Sequence, residues 1–212
     1  MSRARRHRPW RGGAAARLVA LALVVAGTGA SAQVSSCDPA RARAAVSVLN
    51  EALLAQPSAS VTLTQWCRAN GLMGPDDKLR AVLVADSNPA GEDVRRELQA
   101  APGEAVGYRH VQLRCGAHLV SDAENWFVPS RLTPAMNEEL ATTDHPFGLV
   151  VKALDFTRRR LDERPAIAAA DPPPAPSATV LQHRATLVAR SGQPFSLVLE
   201  NYKADLVCHA GP

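Results

Sequence analysis

The sequence predicts an α+β fold in which a single antiparallel β-sheet is covered by helices. Two observations indicate this class. Residues 108–129 and 185–202 each hold two alternating apolar segments joined by a short glycine-containing turn, the connection that antiparallel neighbours allow. Asp38-Pro39 and Thr133-Pro134 each place a capping residue before a proline at the first helical position. Hairpins interspersed with helices favour one layered domain.

In the first half of the chain, the pattern predicts two helices and two strands. Apolar residues recur at helical spacing after Pro39, which predicts a helix over residues 39–55. The segment VTLTQWC, residues 61–67, is rich in β-branched residues and alternates, so we expect a strand there. An apolar strand at 78–85 and a short helix at 92–99 follow.

The second half contributes most of the sheet. The predicted order is a strand at 108–115, a strand at 118–129, a helix at 131–140, a short apolar element at 146–154, an extended segment at 155–161 and the hairpin at 185–202. Residues 163–178 are rich in proline and alanine and poor in large apolar groups, so we expect a mobile loop.

The first 32 residues resemble an export signal. Six arginines precede the apolar run LVALALVVAG, and Ala30-Ser31-Ala32 offers a cleavage site. The whole chain has 24 basic and 20 acidic residues, so without these six arginines 18 basic residues face 20 acidic ones. A net charge of about −2 gives no support for nucleic-acid binding. We therefore expect one exported domain, residues 33–212, located in the periplasm or secreted, with no membrane span.

All four cysteines lie in this predicted mature part. Their separations of 30, 48 and 93 residues match no zinc or redox motif, and no metal site is expected. An even number of cysteines in an exported chain predicts two disulfides. Three pairings are open, as are free buried thiols; because of their positions in the chain we favour Cys37 with Cys208 and Cys67 with Cys115.

Two charged residues fall on apolar faces of predicted strands. Alternation places Arg109 with Val111 and Leu113. Burying a guanidinium costs several kcal/mol unless an acid compensates it, so Arg109 either meets a protein or ligand carboxylate, or extends to water from the rim. Glu200 shares a face with Val198 and is either a solvated strand end or the acid of a site.

The arginine run at 158–160 poses the same choice. Such a run is usually a solvated strand face, although it can also attract an anionic ligand.

Several short motifs, taken in order, resemble the chorismate pyruvate-lyase family and, more loosely, the effector-binding domains of some bacterial transcription regulators. The resemblance covers about Ser58 to Tyr202. The matching residues are Val61-Thr62-Leu63-Thr64, Arg109-His110-Val111-Gln112-Leu113, Val128-Pro129, Pro146-Phe147-Gly148, and Ser191-Gly192-Gln193-Pro194 leading to Glu200.

The resemblance implies a ligand cavity enclosed by the sheet and helices, with no metal or organic cofactor. Arg109 matches the arginine that holds the substrate carboxylate and Glu200 the glutamate beside the reacting ether, while Phe147 and Gly148 match ligand contacts. Asn125 stands where the lyases carry a second arginine.

Two functions remain open. The first is elimination of pyruvate from chorismate, or from a related carboxylated ring ether, to give 4-hydroxybenzoate, with Glu200 as acid/base and Arg109 as carboxylate clamp. The second is an extracytoplasmic module that binds a small aromatic or cyclic carboxylate without catalysis. In either case we expect a monomer that has a small-molecule partner and no nucleic-acid partner.

Overall fold

The computed structural model describes residues 37–167 and 173–208, so the predicted export signal lies outside the described residues. Its core is one six-stranded sheet in which every neighbouring pair is antiparallel, with the strand order β1-β2-β3-β6-β5-β4. The strands are β1 (Arg80–Leu83), β2 (Gly107–Cys115), β3 (His118–Phe127), β4 (Thr157–Pro165), β5 (Thr179–Val188) and β6 (Pro194–Lys203). The predicted α+β class is confirmed.

Six helices and two 3-10 turns surround this sheet. The helices are α1 (Pro39–Leu54), α2 (Ala59–Ala69), α3 (Glu92–Glu97), α4 (Pro134–Thr142), α5 (Phe147–Val150) and α6 (Asp205–Cys208), and the turns are Pro129–Arg131 and Val151–Leu154. Asp38 and Thr133 cap α1 and α4 as predicted, since their side chains accept hydrogen bonds from the backbone N–H groups of Arg41 and Met136.

The helices cover both faces of the sheet. On one face, which we call the cavity face, Leu49 of α1 and Leu63 of α2 belong to one core cluster with Val111 of β2. On the opposite face, Leu98 packs with Trp126 of β3 and Leu197 of β6. Strands β3 and β6 are therefore packed on both sides over part of their length.

Residues 61–67, predicted as a strand, lie within helix α2. The prediction was wrong because β-branched composition is a weak preference that tertiary packing overrides. Ala59, Leu63 and Cys67 are buried at helical spacing and form the packed face of α2. This helix places the chain around Ser58 above the sheet.

The loop predicted at 163–178 is shorter than expected. Strand β4 continues to Pro165, and the Ala166 N–H donates to the Val180 carbonyl at 2.9 Å, so the ladder extends into the predicted loop. On the far side, the Asp205 N–H donates to the Pro176 carbonyl at 3.0 Å. Proline at a strand end on a sheet edge is compatible with pairing, which composition alone did not indicate.

The predicted disulfide pairing is confirmed. Cys37 bonds to Cys208 and ties the start of α1 to α6, and Cys67 bonds to Cys115 and ties α2 to the end of β2. Both bonds are consistent with a location outside the reducing cytoplasm. Among residues 37–167 and 173–208, no helix is long and apolar enough to cross a membrane.

Candidate functional site

A small cavity lies between the sheet and helices α2 and α5. Its floor comes from the five strands β2 to β6, and its opposite wall from the turn before α2 and the start of α5. The lining includes Ser58, Ser60, Val111, Ala123, Asn125, Phe147, Gly148, Phe156, Arg158, Leu187, Val198 and Glu200. The free volume is about 30 Å³, room for one or two water molecules, so a larger ligand must displace part of the wall.

The wall formed by α2 and α5 depends on a glycine. A Cβ atom at Gly148 would lie 2.7 Å from Ser58 Oγ and 3.2 Å from Ser60 Oγ, closer than packed atoms approach. Glycine therefore lets α5 rest directly on the serine hydroxyls. Ser58 Oγ is buried and has no hydrogen-bond partner in the described part of the chain, so a donor or acceptor at the cavity wall remains available.

Glu200 lies at the centre of this face and is buried. It pairs in register with Ala123 of β3 and His183 of β5, and only 9% of its surface is exposed. Its Oε2 accepts hydrogen bonds from Arg158 Nη2 and, at 2.9 Å, from the Tyr202 hydroxyl, while Arg158 Nη1 lies 3.4 Å from Oε1. The solvated strand-end interpretation is wrong, because Glu200 is held in a buried ion pair.

Arg158 differs from the two arginines that follow it. Its side chain is 10% exposed, whereas those of Arg159 and Arg160 are more than half exposed and pair with acids at the surface. Burial is the largest single influence and lowers the pKa of Arg158, but the electrostatic interactions and hydrogen bonds with Glu200 and Tyr202 together outweigh it and raise the pKa. The interpretation of the run as a solvated face is therefore wrong for Arg158, which stays a cation inside the cavity.

A polar chain extends from this ion pair toward α1. The His183 ring contacts Tyr202 edge-on at 5.3 Å between centroids, and His183 Nε2 lies 2.8 Å from Asn50 Oδ1. Asn50 Nδ2 in turn donates to Glu163 Oε1 at 2.6 Å. Burial lowers the pKa of His183 and, with the charge of Glu200, raises that of Tyr202, so both rings are neutral near pH 7.

Arg109 is also buried, but it does not line the cavity. It is 5% exposed and faces the same side as its neighbour Val111 and its cross-strand partner Asn125, both of which line the cavity. Its Nη2 donates to the His145 carbonyl at 3.3 Å, while Nε and Nη1 have no partner among the described residues. The alternative in which Arg109 reaches water from the rim is wrong.

The charges of this face do not balance. Arg158 and Glu200 neutralise each other, whereas the structure provides no carboxylate for Arg109 within the described ranges. Burial lowers the pKa of Arg109, yet an arginine stays protonated in proteins. The region behind the cavity therefore carries one uncompensated positive charge with two free N–H donors.

Most of the predicted site residues come together. Glu200, Asn125, Phe147 and Gly148 line the cavity, and Arg109 lies one residue beyond it on β2. The sequence did not identify Ser58 or the partnership of Arg158 with Glu200. Alternation within the arginine run places Arg158 and Arg160 on one face, so the sequence alone gave no signal that distinguishes Arg158.

A second group of titratable residues lies on the opposite face. The two ring nitrogens of His110 lie 2.6 Å from an oxygen of Asp86 and 3.0 Å from an oxygen of Asp122. Burial alone lowers the pKa of His110, but hydrogen bonds to both carboxylates outweigh it and raise the pKa. No cluster of His, Cys, Asp and Glu within 37–167 and 173–208 is suited to hold a metal ion.

The comparisons with known proteins give one close relative and a fold. No family model matches the chain. The uncharacterized protein y4mC of Sinorhizobium fredii (strain NBRC 101917 / NGR234) is 38% identical over 186 residues, which cover 81% of this chain and 78% of y4mC.

Solved structures provide the fold. PhnF from Mycobacterium smegmatis aligns with a TM-score of 0.50 and 15% identity, covering 72% of this chain and 66% of PhnF. The effector domain of PhnF aligns with a TM-score of 0.49 and 16% identity, covering 71% of this chain and 93% of that domain. The ligand-binding domain of a Bordetella bronchiseptica protein assigned to the GntR family of transcriptional regulators aligns with a TM-score of 0.41 and 17% identity, covering 63% of this chain and 90% of that domain. The likeness to PhnF shows the fold alone, and the likeness to chorismate lyases stays a prediction.

Proposed function

We propose that this chain, which belongs to the same family as the y4mC protein of Sinorhizobium fredii, is a binding module for a small carboxylated molecule. The ligand would lie between the sheet and helices α2 and α5. The observation that carries this proposal is Arg109, a buried guanidinium with two N–H donors that no described residue accepts.

The physical argument is the cost of an uncompensated buried charge. A buried ion costs several kcal/mol, and each unmet donor adds about 1–3 kcal/mol. A ligand carboxylate can accept from Nε and Nη1 in the bidentate arrangement that guanidinium groups favour, and so remove both costs. Pairing with an anionic group at Arg109 would therefore contribute favourably to the binding free energy.

The fold is compatible with this function. The similar solved structures include domains that their descriptions call effector or ligand-binding domains. In this chain the cavity must enlarge for a ring-sized ligand, because small-molecule pockets usually measure about 300–1,000 Å³. Gly148 packs so closely on Ser58 that no side chain fits between them, and we propose that α5 moves away from Ser58 there.

Chorismate lyase activity is the second candidate. In its favour, Glu200, Phe147, Gly148 and Asn125 all line one cavity, as the resemblance implies. Against it, both oxygens of Glu200 are engaged by Arg158, and Tyr202 donates to one of them. A carboxylate held in this way is a poor general base, so we propose binding without turnover.

We also propose that the protein acts outside the cytoplasm as a single domain of residues 33–212. The two disulfides support this location, and the arginine-rich apolar N-terminus supports export. An exported protein is better suited to bind an external acid, as a carrier or a sensor, than to act as an enzyme on an acid in the cytoplasm.

The test is a thermal-shift screen that pairs each acid with its neutral amide. 4-Hydroxybenzoate and cyclohexanecarboxylate would be compared with 4-hydroxybenzamide and cyclohexanecarboxamide. An acid present at about 100 times its Kd stabilises by about 2.7 kcal/mol, which raises Tm by roughly 5–10 °C for a domain of this size, and we expect the amides to act weakly.

Two further measurements separate the candidates. Arg109→Met should abolish the shift, whereas Arg114→Met, on the other face of β2, should keep it. Release of 4-hydroxybenzoate from chorismate, followed by ultraviolet absorbance and lost in Glu200→Gln, would replace the binding module with the lyase. Stabilisation by acids and amides alike would contradict a carboxylate site.

A further inference from the structure

Arg158 has no assigned role in the proposed binding of a carboxylate, although it is the cation that lines the cavity itself. It lies near the start of the edge strand β4, opposite Leu187 of β5. Its two terminal nitrogens approach the two oxygens of Glu200, the two-pronged geometry with which a guanidinium holds any carboxylate. The side chain of Glu200 thus occupies the position that an external carboxylate would take.

A buried ion pair is weak evidence for a stabilising role. Exchange of a buried ion pair for apolar residues of similar volume is often neutral or stabilising, whereas removal of one partner alone is costly. The pair at the cavity therefore indicates a functional use. An incoming carboxylate can replace Glu200 without leaving Arg158 unpaired, because it brings its own negative charge.

We propose that Glu200 is an internal competitor for the ligand, and that Arg158 is a second carboxylate-binding residue which Glu200 releases when the ligand binds. This inference rests on the proposed function, since it describes how the same carboxylate is held. The ligand carboxylate would accept from Arg158 as well as from Arg109, and a dicarboxylate or a carboxylated enol ether would place one acidic group on each.

The exchange has a consequence for protons. Two carboxylates, those of Glu200 and of the ligand, then face two guanidinium groups, those of Arg158 and Arg109, so the buried charges balance. The groups that face Glu200 are Arg158, His183 and Tyr202, and Glu163 is connected to them through Asn50. Among the described residues that line the cavity, α2 and α5 contribute no charged group. The ligand therefore binds as a carboxylate, without net uptake of a proton.

The experiment is calorimetric titration of the full-length protein with 4-hydroxybenzoate in buffers of different ionisation enthalpy. In Glu200→Gln the competitor is neutral while its amide oxygen still accepts from Tyr202. We expect its Kd for 4-hydroxybenzoate to fall about tenfold or more, the scale of one charge-assisted hydrogen bond, and wild type to bind without net proton uptake. Glu124→Gln, a carboxylate that binds Tyr108 on the opposite face, should behave as wild type.

A second variant covers the case in which Glu200→Gln folds poorly with its unpaired Arg158. Arg158→Met combined with Glu200→Gln removes the buried charge and should bind 4-hydroxybenzoate at least tenfold more weakly than Glu200→Gln or, if that variant does not fold, than wild type. An unchanged or higher Kd in Glu200→Gln, or net proton uptake by wild type, overturns the inference.

The failure of this inference can be distinguished from that of the proposed function. Wild-type binding that is lost in Arg109→Met but unchanged in Glu200→Gln overturns the exchange and keeps the carboxylate site. The absence of binding in every variant overturns both.

Discussion

Replacement of Arg109 by methionine should stabilise the protein in the absence of ligand. Methionine keeps much of the side-chain volume and removes a charge that is 5% exposed, with Nε and Nη1 unpartnered in the described part of the chain. Relief of the two unmet donors is worth about 2–4 kcal/mol, and the long bond to the His145 carbonyl, which is lost, is worth about 1 kcal/mol. The expected net gain is about 1–3 kcal/mol.

The assay is urea unfolding followed by tryptophan fluorescence, with Tm from calorimetry as a second measurement. A gain of this size raises Tm by roughly 3–10 °C for a domain of this size. Arg114→Met is the matched control, because Arg114 lies on the opposite face of β2 and already donates to the Ala117 carbonyl; we expect a change within about 0.5 kcal/mol. A loss of more than about 1 kcal/mol in Arg109→Met would show that its donors are satisfied, and would refute the reasoning.

Three further predictions test the wall of the cavity, the disulfides and the opposite face. Gly148→Ala should lower the free energy of unfolding by about 1–3 kcal/mol in urea, because its Cβ would meet Ser58 Oγ at 2.7 Å. Adding Ser58→Ala to this variant should recover part of the loss, and equal free energies of unfolding for Gly148→Ala and the double variant would contradict the contact. Removal of the Cys67–Cys115 disulfide by paired alanine substitution should cost about 4 kcal/mol by the loop-entropy estimate for its 48-residue separation, and stability that is insensitive to reductant would contradict this. Because the pKa of His110 is raised in the fold, its protonated form stabilises the protein. This stabilisation is complete below the unfolded pKa of about 6.5 and is lost as pH rises through the folded pKa. The difference in free energy of unfolding between wild type and His110→Gln should therefore shrink from pH 6 to pH 8, and a constant difference would contradict the prediction.

The sequence predicted the parts of the fold that local pattern controls. Alternation correctly placed Arg109 and Glu200 on buried faces, and the proline-containing starts of α1 and α4 form as expected. Helix α2 was misread because its threonines and valine favour strands locally, whereas the structure buries Ala59, Leu63 and Cys67 at helical spacing against the sheet. Such long-range constraints are not visible in a seven-residue window.

The site was predicted less completely, for a related reason. Glu200 was recognised as a carboxylate out of place, but its partner is 42 positions earlier on an edge strand, within a run of identical residues. Strand β4 also changes register between Arg160 and Asp162, so a simple period of two does not identify the inward-facing arginine. Pairing across the sheet order β6-β5-β4, which only the structure supplies, brings Arg158 to Glu200.

The measurement that tests the carboxylate site most directly is the ratio of the affinities for an acid and for its own amide. Calorimetric titration would give this ratio for wild type and for Arg109→Met with 4-hydroxybenzoate and 4-hydroxybenzamide. The proposed function predicts that wild type binds the acid about tenfold or more tightly than the amide, and that the ratio approaches one in the variant. Equal affinities in wild type, or a preference for the acid that survives in Arg109→Met, would contradict the assignment of Arg109 as the carboxylate-binding group.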